Sequence, residues 1–175
     1  MSGIIGVHPA KSSGVIGAQD IRVGHSCAIK KTNSGAATGT SNYVFKQGGV
    51  TEILNMDASL FTADTSGDYG ITVNHSGRYS AWLQIYYTSP TAVSYSEGTI
   101  SVWNGSGYDT ALPDSYSIHY REHAGSNKWK TVSSTAILFD GIAGKTYGLL
   151  VSVSSGTVQV NGAPTRLQLT YMGPS

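Results

Sequence analysis

His119-Tyr120-Arg121-Glu122-His123 spells H-x-x-E-H, two imidazoles and a carboxylate at the spacing used by one class of zinc hydrolase. That chemistry needs a helix, on which residues four apart share a face at about 6 Å. The flanking Ser115-Tyr116-Ser117-Ile118 alternates as a strand, on which the two histidines would stand ~13 Å apart. A third protein ligand has no obvious source. Gly141-Ile142-Ala143-Gly144-Lys145-Thr146 ends like a phosphate-binding loop, but Phe139 stands where the first glycine belongs, and the segment reads as a tight turn between two strands. Asp64-Thr65-Ser66-Gly67-Asp68 offers two carboxylates to a calcium ion, too few ligands for one, and reads as an Asx-type turn. The ten acidic residues are scattered through turns and strand ends, with no nucleophile–base pair and no paired carboxylates. The expectation is a protein that is not an enzyme and holds no cofactor and no metal.

The elements that position these residues are strands. Charged residues make up 12 % of the chain, while 22 glycines and abundant Ser and Thr favour a turn-rich, all-β protein of one domain. A formal charge of +1, with only Lys30 and Lys31 adjacent, gives no footprint for nucleic acid. No apolar run approaches the ~20 residues that span a bilayer, so no membrane partner is expected. The apolar start is broken by Gly6, His8, Pro9 and Lys11, unlike a signal peptide, and the glycosylation patterns at Asn74 and Asn104 are therefore given no weight. Cys27 is the sole cysteine, which excludes an intrachain disulfide and leaves a small buried apolar side chain.

Strand signals recur from about residue 25: 25–31, 43–46, 50–54, 59–62, 70–73, 78–87, 99–104, 115–121, 129–139, 146–153, 157–160 and 165–171. In 78–87 the period of two puts Tyr79, Ala81, Leu83, Ile85 and Tyr87 on a core face. Arg78, Ser80, Trp82, Gln84 and Tyr86 take the other, a mixed surface covered either by a partner or by a loop of the same chain. Tyr147, Leu149, Val151 and Val153 share one face, and Leu167, Leu169 and Tyr171 oppose Arg166, Gln168 and Thr170. Strands with one apolar face each pack as two antiparallel sheets, a β-sandwich or jelly roll over residues 25–175.

Residues 1–24 differ. Ser2-Gly3-Ile4-Ile5-Gly6 is echoed by Ser13-Gly14-Val15-Ile16-Gly17, pairs of β-branched residues between glycines. They read as an extended attachment arm, with Ile4, Ile5, Val15 and Ile16 able to add to a sheet edge on another chain, or as a plain tail.

The run Phe61, Ile71-Thr72-Val73 and Gly77-x-Tyr79-x-x-Trp82 resembles the Phe…Gly-x-Tyr-x-Phe signature of the globular heads of complement and tumour-necrosis-factor-like proteins. Ala136-Ile137-Leu138 before Gly141, Ala143 to Val151, and a final strand from Leu167 to Met172 are similar too, so the likeness spans roughly residues 40–172. It implies a jelly roll that forms a tight homotrimer, one sheet of each copy facing a three-fold axis. Trp82 and Tyr86, with Arg166, Gln168 and Thr170, are then the trimer-interface candidates. The Met1-Ser2-Gly3-Ile4-Ile5-Gly6 start looks like the opening of small structural proteins of tailed bacteriophages. That resemblance implies a virion protein made in the host cytoplasm, either a capsid decoration (cement) protein held to the major capsid protein by its arm, or a receptor-binding knob of a tail or head fibre. In the knob, Tyr95, Trp103, Tyr108 and Trp129 are the candidate contacts to a host glycan or surface protein.

Overall fold

The computed structural model describes residues 22–37, 42–46, 48–67, 69–89, 94–121, 129–154, 156–162 and 164–175. They form fourteen strands: β1 (Ser26–Lys31), β2 (Gly35–Ala37), β3 (Asn42–Tyr43), β4 (Val50–Asn55), β5 (Phe61–Ala63), β6 (Ile71–Val73), β7 (Gly77–Ser89), β8 (Ser94–Trp103), β9 (Tyr108–Ala111), β10 (Ser117–Arg121), β11 (Trp129–Gly141), β12 (Lys145–Val153), β13 (Val158–Val160) and β14 (Arg166–Gly173). All pairings are antiparallel, in two seven-stranded sheets. The first sheet runs β11-β7-β14-β1-β4, with β13 and then β2 continuing beside the far end of β7. The second runs β10-β8-β12-β6-β5, with β9 also on β8 and β3 also on β12. The chain is therefore a β-sandwich of jelly-roll type, as its alternation requires.

β7 organises the first sheet. Its thirteen residues pair along their full length with β11, and on the other edge with β14 and β13. Tyr79, Ala81, Leu83, Ile85 and Tyr87 are all 0 % exposed, the core face expected of them. They meet Ile100, Tyr147, Leu149, Val151, Ile71, Val73 and Phe61 of the second sheet in one hydrophobic core. Cys27 is buried in that core as a small apolar side chain, and burial pushes its thiol up to about 12.

One end of the sandwich is plugged by rings. Tyr79 lies 5.9 Å from Phe61, 5.8 Å from Phe139 and 5.3 Å from Tyr171, and Phe139 lies 4.8 Å from Tyr147. The Tyr79 hydroxyl donates to the His75 carbonyl at 2.6 Å and the Tyr147 hydroxyl accepts from the Ile142 N–H at 3.1 Å, so both of these polar atoms of the plug are satisfied. Gly77 and Gly141 face each other across β7 and β11 at this end. A Cβ on Gly141 would sit 2.5 Å from the Tyr79 ring, and one on Gly77 2.6 Å from the Tyr171 ring and from the Gly173 carbonyl. The glycines are thus required by ring volume. The Phe61 and Gly77-x-Tyr79 residues that carry the sequence resemblance are the parts of this plug.

The strands differ from expectation in a few places, each with a physical reason. β8 begins at Ser94 instead of 99, because Gly98, which reads as a turn, is a mid-strand residue whose missing side chain leaves room for Ile85 and Tyr87 of the opposite sheet. β2 and β9 are short edge pieces, Gly-Ala-Ala and Tyr-Asp-Thr-Ala, with no period long enough to read. Val44 to Lys46 turn instead of extending β3, because Val44 donates its N–H to Leu149 and Phe45 enters the core. β7 and β11 each reach further than the alternation alone defines.

Lys31 follows Cys27 and Ile29 on the inward face of β1 and is fully buried, its ammonium donating to the Val44 carbonyl. Burial pulls its pKa down from the ordinary lysine value to about 8.

Replacing Gly141 with Ala forces the rigid Tyr79 ring to move and should cost about 1–3 kcal/mol, a fall of several degrees in melting temperature measured by circular dichroism. An unchanged melting temperature would mean the plug has slack. For Lys31 the sign follows from the lowered folded-state value: between about pH 8 and the ordinary lysine value of 10.5 the unfolded chain holds more protons, so stability gains with pH in that window. Urea midpoints of wild type should rise relative to Lys31→Met from pH 8 to 10.5 and run parallel below 8. The comparison cancels Cys27, whose raised value pulls the other way above pH 9. Parallel curves throughout would show that the amine is hydrated.

Candidate functional site

The outer face of the first sheet, turned away from the core, carries the surface with most to explain. Its rows follow from the register. Trp82 of β7 stands between Gln168 of β14 and Ala136 of β11; Gln84 between Arg166 and Ser134; Ser80 between Thr170 and Leu138; and Tyr86 beside Val132. On the far side of β14, Ala28 faces Gln168, Lys30 faces Arg166 and Ser26 faces Thr170. The structure therefore brings Trp82, Arg166, Gln168 and Thr170 together on one surface, with Tyr86 further along the same face, and all five are half-buried in the single chain.

Side chains fix one another across this face. The Arg166 guanidinium lies over the Trp82 indole, 5.1 Å from the ring centre. The Thr170 and Ser26 hydroxyls are 2.7 Å apart, and the Gln168 amide reaches both at 3.5 Å. The Gln84 amide donates to the Pro164 carbonyl at 3.0 Å, and the Tyr86 N–H to the Thr165 hydroxyl at 3.0 Å. At the plugged end Arg78 Nε donates to Asp140 Oδ1 at 3.3 Å, an exposed pair of small energetic weight. Around this polar frame stand apolar side chains in solvent: Leu138 is 64 % exposed, Val132 53 %, Met172 46 % and Leu54 40 %. The outward face of β11, with Val132, Ala136 and Leu138, escaped sequence reasoning, although the alternation of 129–139 contains it.

A cleft of about 500 Å³ opens where the β11 edge meets the β9–β10 connection, lined by Arg78, Leu112, Pro113, Asp114 and Ala136 to Asp140. Ser115 holds that connection in place, its hydroxyl donating to the Leu112 carbonyl at 2.7 Å and accepting from the Ile100 N–H at 3.1 Å. The cleft offers the Arg78–Asp140 pair, a second carboxylate at Asp114 and apolar walls, with no Ser, Thr, Cys, Lys or His among its lining residues.

The remaining chemistry-bearing residues take structural positions. His119 lies in β10, a strand paired with β8, so the H-x-x-E-H spacing starts on a strand; His123 lies outside the described residues. Residues 142–144 form the tight β11–β12 turn, with Gly144 at φ +80° and Ala143 N–H donating to the Ser76 hydroxyl. Asp64 Oδ1 accepts the N–H groups of Ser66 and Gly67 at 3.0 and 2.7 Å, an Asx turn; Asp68 lies outside the described residues. Asp57 is held below the ordinary carboxylate range, first by hydrogen bonds from the Ser59 hydroxyl and N–H and then by His25, which fastens the turn after β4. Among the described residues no group of His, Cys, Asp and Glu is arranged to hold a metal ion.

Tyr95 donates its hydroxyl to Glu97 at 3.1 Å, a bond that raises its pKa, and Trp103 packs edge-on against Tyr43 at 6.5 Å. Tyr108 and Trp129 lie in β9 and β11. Ile4, Ile5, Val15 and Ile16 lie outside the described residues. The chain joins the domain at the Arg22–Gly24 turn, where Gly24 N–H donates to the Tyr171 carbonyl at 2.7 Å and Arg22 lies 5.7 Å over the Tyr171 ring.

No protein-family model matches the chain, and no curated protein matches it. Solved structures do. The Eiger TNF of S. frugiperda is 16 % identical, over 88 % of this chain and 96 % of that one, with a TM-score of 0.64. Murine APRIL, solved at pH 5.0, is 12 % identical over 85 % of this chain and 98 % of its own, with a TM-score of 0.56. At these identities the likeness shows the fold: a tumour-necrosis-factor-type jelly roll.

Proposed function

We propose that the chain is a virion structural protein of a bacteriophage, a homotrimeric capsid decoration protein whose jelly-roll head self-associates through the outer face of its first sheet and whose residues 1–24 fasten it to the major capsid protein or to a neighbouring copy. The observation that carries the self-association is that face itself. Leu138, Val132, Met172 and Leu54 are exposed around a Trp82–Arg166 stack, an apolar surface with a fixed aromatic centre of the kind that interfaces use. Burial of such a surface contributes about 25 cal/mol per Å² of apolar area, which in a trimer acts between each pair of copies. The virion setting rests on the resemblance of the two Ser-Gly-β-β-Gly segments at the start of the chain. The role is mechanical: a head that adds subunit contacts raises the free energy of rupture of the shell.

A second reading, a receptor-binding knob, is favoured by a separate cluster. Trp103 packs on Tyr43, and Lys46 lies 5.8 Å over the same Tyr43 ring. Aromatic faces beside a cation suit a glycan. Host-cell or glycan-array binding by the isolated head, lost on Trp103→Ala, would favour the knob over decoration.

Leu138 is outside the core, so Leu138→Glu should keep the wild-type melting temperature of the isolated fold within a degree or two while converting trimer to monomer in sedimentation velocity. A trimer that tolerates this charge would remove the face from the assembly. Deleting residues 2–17 should leave a folded trimer that no longer binds capsids in co-sedimentation, and undiminished binding would refute the arm's role.

A further inference from the structure

Lys30 and Arg166 are direct cross-strand partners between β1 and β14, on the outer face of the first sheet. Like charges placed opposite one another in an antiparallel pair repel, so the arrangement is a cost unless something negative lies between them. Neither Lys30 nor Arg166 forms an ion pair among the described residues. Across β1, β14 and β7 the outward residues are Ser, Ala, Thr, Gln, Trp, Tyr, Met, Lys and Arg, and on β4 Thr51 stands opposite Lys30 while the neighbouring Glu52 accepts from the Asn55 amide at 3.3 Å. The one carboxylate on the outward face of β11, Asp140, sits beside Arg78 at the plugged end.

Arg166 is held in place for such a group. Its guanidinium lies over the Trp82 indole, while its Nε is buried and donates to no partner among the described residues. A buried unsatisfied donor costs free energy, more so on a charged group, and a shift of the side chain toward an acceptor brought from outside would relieve that cost. A guanidinium over an aromatic ring, with a lysine directly across the strand pair, places two cations where one oxyanion could bridge them, through the donors of the fork and a point charge.

We propose that Lys30 and Arg166, with Trp82 clamping the guanidinium, form an oxyanion-binding site that takes a carboxylate or phosphate-type group on the face through which copies associate. The proposal rests on the self-association reading for its role: burying two unpaired cations per copy would oppose assembly, and an oxyanion at the site removes that penalty.

The test titrates inorganic phosphate into wild type, Arg166→Gln and Lys30→Gln at constant ionic strength in chloride, with sedimentation velocity and melting temperature as readouts. Arg166→Lys keeps the charge without the planar fork and should recover less than half of the response. A saturable phosphate response in wild type, lost in both Gln variants, assigns a free oxyanion. No phosphate response, but association at least tenfold weaker in both variants, assigns a carboxylate of a neighbouring copy. Equal association of all three proteins in both buffers overturns the site and leaves self-association standing. If wild type is monomeric throughout, the self-association reading falls, and the site then stands or falls on saturable phosphate stabilisation of the monomer that Arg166→Gln abolishes.

Discussion

The packing of the Tyr79 ring is the constraint on which the rest of the structure depends. It touches Phe61 of the second sheet, Phe139 of β11 and Tyr171 of β14, so a single side chain ties the middle of the first sheet to both neighbours and to the opposite layer. That contact fixes register. With period-two alternation, a slip of one residue in β7 would send Leu83 and Ile85 into solvent and Trp82 and Gln84 into the core. Gly141 admits the Tyr79 ring and Gly77 admits the Tyr171 ring packed on it, and once both are seated the register sets where the outward residues of β7, β11, β14 and β1 stand.

Function enters through the face that this register leaves outside. The same strands that bury Tyr79, Leu83 and Tyr171 inward display Trp82, Arg166 and Leu138 outward, so the assembly surface proposed for this protein is a by-product of its core. The face joins exposed apolar side chains to a rigid cation–aromatic pair, and its charges are unbalanced toward the cationic side at Lys30 and Arg166. An apolar surface alone would favour indiscriminate sticking; a fixed cationic centre selects a partner that brings an acceptor.

Much of this was legible in the sequence, for reasons particular to each segment. β14 alternates cleanly because it is covered mainly on one side, and the inward residues of β7, β12 and β14 follow from the period alone, although the first half of β12 is buried on both faces. The candidate face was legible through Trp82, Tyr86, Arg166, Gln168 and Thr170, since a strand's outward residues are the complement of its inward ones. Hidden were features set by contacts distant in sequence. Gly98 punctuates β8 only to a reader who cannot see Ile85 and Tyr87 arriving from the other sheet. Lys31 is buried because Val44 supplies an acceptor from another loop, and the Lys30–Arg166 pairing joins residues from opposite ends of the chain. Leu138 and Val132 read as ordinary strand residues until β11 proves to stand beside the outward face of β7.

The central claim, that copies meet through the outer face of the first sheet, is tested most directly by hydroxyl-radical footprinting of the full chain across a dilution series, read residue by residue by mass spectrometry. The account predicts that Trp82, Leu138 and Met172 are protected at high concentration and become labelled together on dilution, while Tyr116 and Ile142, exposed elsewhere on the molecule, label equally throughout. Constant labelling of Trp82, Leu138 and Met172 across the series, with protection arising on the second sheet instead, would contradict it.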